Sequence, residues 1–111
     1  QPHRYSRIKN LFEEFCTCFN DADTVIIADI YSAGEQPIPG IDKLALVDGI
    51  KSRSHRNVLA LEKPSELPAL IHSITNAGDL VICLGAGNIT KWAAGLPDAL
   101  AEHQAAARKA N

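Results

Sequence analysis

Stretches with a helical spacing of apolar residues alternate along this chain with short runs that are apolar almost throughout. Three such runs cover residues 24–30, 58–61 and 79–84. Runs this short and continuously apolar are typical of parallel strands whose two faces are both covered. The alternation therefore predicts an α/β fold, in which a mostly parallel sheet with three strands in this chain is flanked by helices.

The predicted helices begin and end at recognisable signals. The first runs from near Ser6 to Phe19, and the next two have Asp42 and Ser65 at the N-cap position. A helical segment after residue 88 is interrupted at the Gly-Leu-Pro sequence 95–97, and an alanine-rich helix follows. Residues 31–40 form a loop.

Length and charge exclude several classes of function. The 111 residues suffice for one domain, and a net charge of −2 offers no electrostatic footprint for a nucleic acid or an anionic membrane. No apolar run approaches the roughly 20 residues that a membrane helix needs. The three cysteines have no spacing typical of a disulfide or zinc site. These features predict a cytoplasmic domain with no nucleic-acid, membrane or metal partner.

The start of the chain indicates that the sheet is incomplete. The chain opens with Gln1 and contains no methionine, so we expect that an upstream segment has been removed. Gln1 and Pro2 stand where a strand should end and a helix begin, which predicts at least one further strand directly upstream. The exposed edge of such a truncated sheet would allow two copies of the chain to form a homodimer.

Three loop segments are expected to share one edge of the domain, because ligands bind at the carboxyl ends of parallel strands. They are residues 3–7, with the sequence His-Arg-Tyr-Ser-Arg, residues 31–35, with the sequence Tyr-Ser-Ala-Gly-Glu, and residues 85–88, with the sequence Gly-Ala-Gly-Asn. Their convergence predicts a binding site.

Arg4 and Arg7 have the outline of a carboxylate or phosphate receptor. Their spacing of three puts two guanidinium groups on one side of a helix start, where the dipole also favours an anion. A guanidinium fork binds a carboxylate in a planar, bidentate way that lysine does not reproduce. Taken alone, the pair is more simply explained as two solvated surface charges.

The other two segments carry weaker signals. Gly85, Ala86 and Gly87 resemble the start of a dinucleotide fingerprint, but Thr90 stands where its third glycine belongs, so a tight turn with Asn88 as helix cap is the simpler interpretation. In the second segment, Tyr31, Gly34 and Glu35 could line a site. Glu35 could bind metal or act as a base, yet it has no partner at metal-ligand spacing, and a solvated loop residue explains it better. No catalytic residue or metal ligand is predicted.

Taken together, residues 1–7, 31–40 and 85–89 closely resemble the C-terminal domain of the Mur ligases of peptidoglycan synthesis, and among these the alanine-adding branch. The resemblance covers nearly the whole chain, with Ser32 where alanine is usual. It implies that residues 1–111 are a Rossmann-like C-terminal domain, truncated at its N-terminus. The UDP-sugar domain and the central ATPase domain of the family are absent from this sequence.

The resemblance also implies a reaction. In that family ATP phosphorylates the lactyl carboxylate of UDP-N-acetylmuramate, the amine of L-alanine attacks the acyl phosphate, and phosphate leaves. Carrying the His-Arg-Tyr-Ser-Arg motif over makes Arg4 and Arg7 the partners of the alanine carboxylate, with His3 lining the same site. ATP and Mg²⁺ are bound mainly by the missing central domain, so the isolated chain is expected to bind no cofactor and to be inactive.

Two alternatives remain open from the sequence. The chain could be a stand-alone Rossmann-like binding or interaction module, which the Gly85 turn and the paired arginines would also permit. It could also be the same domain of a Mur ligase that adds a different amino acid.

Overall fold

The computed structural model describes residues 1–53 and 55–110. Their helices and strands follow in the order α1 (Tyr5–Asn10), α2 (Phe12–Thr17), β1 (Val25–Ile27), α3 (Lys43–Arg53), β2 (Val58–Ala60), a 3₁₀ turn (Pro64–Glu66), α4 (Leu67–Ile74) and α5 (Ile89–Ala110). Contacts divide the chain into two compact units, an N-terminal unit of Gln1–Glu62 and a C-terminal unit from Lys63 onward.

The predicted α/β fold is confirmed in the N-terminal unit, where β1 and β2 pair in parallel. Val25 lies opposite Val58 and Ile27 opposite Ala60. The ladder continues as the Leu61 N–H donates to the Ile27 carbonyl at 2.8 Å. Parallel strands need a long crossover connection, and α3 provides it. Asp42 caps this helix as predicted, since its Oδ1 accepts a hydrogen bond from the Ala45 N–H at 2.7 Å.

The core of the N-terminal unit lies where α2 and α3 pack over the sheet. Its buried members are apolar, and they are Cys16, Val25, Ile27, Leu46, Val47, Ile50 and Val58. Gly49 sets how closely the two helices approach, because a Cβ at this position would lie 2.6 Å from Cys16 Sγ and 2.9 Å from Phe12 Cζ. A glycine in mid-helix costs about 1 kcal/mol relative to alanine, and here it makes room for the Phe12 ring.

The first predicted helix is in fact two. Leu11 separates α1 from α2 with φ −117° and ψ 25°, outside the helical region. Helix-type backbone hydrogen bonds are still made on both sides of Leu11. The Leu11 N–H donates to the Arg7 carbonyl and the Phe15 N–H donates to the Leu11 carbonyl, each at 3.0 Å. The apolar spacing therefore persists through the bend, which is why it did not reveal the break.

The predicted third strand is absent, because residues 79–84 contain no strand and the structure describes two strands in all. Three apolar side chains of this run are largely exposed, Leu80 at 88%, Ile82 at 74% and Leu84 at 62%. An apolar sequence is not sufficient to form a strand. A strand also needs a neighbouring strand that satisfies its backbone hydrogen bonds, and within the described residues no strand pairs with residues 79–84.

Two further predictions fail in the C-terminal unit. Helix α5 runs unbroken through Pro97, although an internal proline loses its amide hydrogen bond and crowds the carbonyl four residues earlier. The packing of α5 against α4 and the burial of Leu96 beside the proline offset that cost. Ser65 is not the N-cap of α4. It lies inside the 3₁₀ turn, and α4 begins at Leu67 with Pro68 in its first turn. None of the described helices combines the length and apolar composition that crossing a membrane takes.

Replacing Gly49 by alanine should destabilise the chain, although alanine is the better helix former. Overpacking against Cys16 and Phe12 costs about 1–3 kcal/mol, which exceeds the gain of about 1 kcal/mol in helix propensity. The matched control is Gly95→Ala in α5, where nothing lies within 4 Å of the added methyl group and about 0.5–1 kcal/mol of stabilisation is expected. Urea unfolding followed by circular dichroism measures both, and equal stabilisation by the two variants would contradict the packing at Gly49.

Candidate functional site

Backbone hydrogen bonds join the His3–Arg7 segment to the loop that follows β1. The Tyr31 N–H donates to the Pro2 carbonyl and the Arg4 N–H donates to the Tyr31 carbonyl, each at 2.8 Å. They form an isolated parallel bridge between His3 and Tyr31. The two rings also stack, with centroids 5.4 Å apart and planes 12° apart. Two of the three segments expected at one edge are thus in direct contact.

A second connection joins the same two segments through a side chain. Glu35 Oε1 accepts a hydrogen bond from the Ser6 N–H at 3.1 Å, and Glu35 Oε2 accepts one from the Ser6 hydroxyl at 2.5 Å. The solvated position predicted for Glu35 is therefore wrong: the residue is half-buried and both of its oxygens are occupied. These bonds, the hydroxyl first and then the amide, hold the pKa of Glu35 below its usual value, and the charge of Arg4 adds a smaller contribution.

Glu35 performs the capping that the local sequence of α1 does not supply. The N-cap residue is Arg4, whose side chain makes no capping hydrogen bond. The first amides of a helix lack partners within it, and a negative charge there is favourable. A helix start without a capping side chain was the signal for an acceptor elsewhere in the chain. That signal does not identify Glu35 as the acceptor, because Glu35 is 29 positions away from Ser6 in the sequence.

The two arginines are exposed, as a receptor for a soluble anion requires. In the part of the chain that the structure describes, neither guanidinium makes a hydrogen bond or a close ion pair. Arg4 has φ 70° and ψ 132°, a backbone conformation that costs a residue other than glycine about 1–3 kcal/mol and tends to occur at functional sites. The site thus presents two accessible guanidinium groups, one of them on a strained residue.

His3 adds an unsatisfied polar atom to the same place. Its ring is stacked on Tyr31, and its Nδ1 is buried with no hydrogen-bond partner among the described residues. Buried nitrogen atoms usually have a partner. The His3 ring therefore already packs against the loop after β1.

The third segment belongs to the C-terminal unit. Gly85, Ala86 and Asn88 are exposed, and α5 begins directly after Asn88. The Lys91 N–H donates to the Asn88 carbonyl at 3.0 Å, which closes the first turn. The segment is therefore a turn at a helix start, as the glycines predicted, although the strand predicted before it is absent from the described residues. Its convergence with the other two segments stays a prediction.

Lys43 is a residue at the carboxyl end of the sheet that the sequence analysis missed. Its Nζ lies 3.0 Å from Asp29 Oδ1 and donates to the Leu61 carbonyl at 2.7 Å. It therefore ties the residues that follow β1 to those that follow β2. Its side chain is only 12% exposed, which suits a structural cation better than a ligand-binding one. Elsewhere among residues 1–53 and 55–110, no three histidine, cysteine or carboxylate side chains come together as a metal-binding group.

Curated bacterial proteins are similar to this chain over nearly its full length, although no family model matches it. A protein of Gluconacetobacter diazotrophicus, named UDP-N-acetylmuramate--L-alanine ligase, is 59% identical over 111 residues, which cover 98% of this chain and 23% of that protein. Proteins of the same name from Parvibaculum lavamentivorans and Granulibacter bethesdensis are 62% and 57% identical, over 92% and 98% of this chain.

The chain spans about a fifth of the length of these relatives. The resemblance drawn from the three motifs is confirmed, since every relative described above carries the name of an alanine-adding Mur ligase. The match is consistent with the chain's being a fragment of such an enzyme.

The Glu35 contact should make stability depend on pH in a defined direction. Because the folded-state pKa of Glu35 is lowered from 4.5, its ionised form stabilises the fold above that value, and the stabilisation is lost as the pH falls through the lower folded-state pKa. Urea unfolding at pH 7 should show Glu35→Gln to be less stable than the wild type, and the difference should shrink at pH 3. Glu14→Gln, which removes an exposed carboxylate without such a contact, should show little change; a Glu35 difference independent of pH would contradict the geometry.

Proposed function

We propose that this chain is the C-terminal, substrate-positioning domain of an ATP-dependent ligase that joins L-alanine to UDP-N-acetylmuramate in peptidoglycan synthesis. The observation that carries the proposal is the identity of 57–62% to relatives of that name over nearly the whole chain. The arrangement of residues 3–7 against the loop after β1 supports it independently, because it exposes two guanidinium groups at the carboxyl end of a parallel strand.

Arg4 and Arg7 are proposed to bind the carboxylate of L-alanine, with His3 lining the same site. The amide of Ser6 at the start of α1 is already taken by Glu35, while the two guanidinium groups are exposed and are proposed to bind the substrate. Guanidinium forks fix the plane of a carboxylate as well as its position. Tyr31, Gly34 and Glu35 border this site, and Gly85, Ala86, Gly87 and Asn88 are proposed to line it in the intact protein.

The contribution of this domain to the reaction is orientation. ATP phosphorylates the lactyl carboxylate of UDP-N-acetylmuramate, the alanine amine attacks the acyl carbon, and the tetrahedral intermediate expels phosphate. Mg²⁺ supplies charge neutralisation at the phosphates, and both it and ATP are proposed to bind mainly outside this chain. Holding the alanine carboxylate leaves the amine free and directed, which lowers the entropic part of the barrier. These substrates are soluble, so a cytoplasmic location is proposed.

A further strand is proposed to extend the sheet in the longer protein. The parallel bridge between His3 and Tyr31 sets a one-to-one register, so about four residues before Gln1 would run beside Val25–Ala28. Adding the corresponding residues of a relative should stabilise the chain in urea. If the free edge instead pairs with a second copy, sedimentation will show a homodimer that the added residues abolish; unchanged stability and association would contradict the strand.

Arg4→Lys should impair the use of alanine far more than that of ATP. The test is a chimaeric ligase in which this chain replaces the matching segment of the Gluconacetobacter diazotrophicus protein, assayed by phosphate release that requires alanine. Losing the bidentate geometry while keeping the charge should raise the KM for alanine by about 10- to 100-fold, with the KM for ATP little changed.

The matched control is Arg56→Lys, which changes an exposed arginine outside the site and should leave both constants unchanged. The isolated 111-residue chain should release no phosphate. A chimaera without alanine-dependent activity would count against the proposed function, and an active chimaera that is insensitive to Arg4→Lys would count against the carboxylate assignment.

A further inference from the structure

The conformation of Arg4 is fixed by hydrogen bonds on both sides of it. On one side the Tyr31 backbone accepts from the Arg4 N–H and donates to the Pro2 carbonyl, each at 2.8 Å. On the other side both carboxylate oxygens of Glu35 hold Ser6 through its N–H and its hydroxyl. Tyr31 and Glu35 belong to one short loop, which is kept compact by a hydrogen bond from the Glu35 N–H to the Ser32 carbonyl at 3.0 Å.

A strained residue needs such restraint. The positive φ of Arg4 is unfavourable for a side chain with a Cβ, and it persists only where the surroundings determine it. Releasing Ser6 would remove the restraint on the C-terminal side of Arg4. The residue could then return to a negative φ, which would turn its side chain relative to that of Arg7 at the start of α1.

Glu35 is poorly suited to chemistry of its own. Both of its oxygens are engaged by Ser6, and its negative charge also acts on Arg4. Resting on the proposed function above, we infer that Glu35 is a positioning residue: through Ser6 it holds Arg4 in the backbone conformation that directs the two guanidinium groups at one substrate carboxylate. Ser6 is the required partner, because both its hydroxyl and its amide donate to Glu35.

A double-mutant cycle in the chimaeric ligase tests this role. Ser6→Ala, which loses one charge-assisted hydrogen bond, should raise the KM for alanine about tenfold. Glu35→Ala, which loses two, should raise it by at least as much, and the KM for ATP should stay within about twofold in both variants. Because the two residues act through each other, the double variant should be no worse than the more severe single one. Glu14→Ala serves as the matched control and should change neither constant. Glu35→Gln, which can still bind Ser6 through its amide, should recover part of the loss.

A second measurement is independent of activity. In the 111-residue chain, the three-bond coupling between the Arg4 α proton and the carbonyl carbon of His3 reports the sign of the Arg4 φ by NMR, because this coupling is large only at a positive φ. Glu35→Ala should move this coupling to the value for a negative φ, while Glu14→Ala leaves it unchanged. A positive φ retained in Glu35→Ala would overturn the inference whether or not the chimaera is active. Additive effects of Glu35→Ala and Ser6→Ala on the KM for alanine would overturn it as well. A chimaera that lacks activity despite the expected change in coupling would count against the proposed function alone.

Discussion

The arrangement of the candidate site depends on how the chain leaves β1. The strand is buried against α2 and α3, which fixes the position of its carboxyl end, and Tyr31 then pairs its backbone with Pro2 and Arg4. Four residues later the same loop returns through Glu35 to the start of α1. A rigid strand therefore supports the loop, and the loop in turn supports the two arginines. This division between a packed scaffold and a functional loop is common in α/β proteins.

The sequence was sufficient to predict the structural features that depend on local residue patterns. The buried runs that became β1 and β2, the capping of α3 by Asp42 and the contact between residues 3–7 and 31–35 all follow from periodicity, capping preference and the geometry of parallel sheets. Two of the failures occur where a distant partner decides the outcome. The run 79–84 has the composition of a strand, but pairing needs a neighbour that composition does not specify. Glu35 looked solvated because Ser6 is 29 positions away.

The geometry of the site and the similarity to known ligases support different parts of the proposed function. The proposal of L-alanine as substrate rests on identity to proteins named UDP-N-acetylmuramate--L-alanine ligase, since no feature of two guanidinium groups alone distinguishes alanine from another amino acid. The geometry supports the proposed binding of a carboxylate. With the Ser6 amide at the helix start occupied, the accessible positive charge comes from arginine side chains, whose orientation rests on a strained backbone. Two exposed guanidinium groups held in this way are suited to orienting a carboxylate.

The tight contact between Gly49 and Cys16 gives the chain a built-in chemical probe. Cys16 is fully buried beneath α3, and burial raises the pKa of its thiol, so an alkylating reagent can reach a reactive thiolate only when α2 and α3 separate. Cys18, two residues further along, is exposed and can react without that separation. The ratio of alkylation at the two sulfur atoms therefore reports how often α2 and α3 separate, with no need to introduce a cysteine.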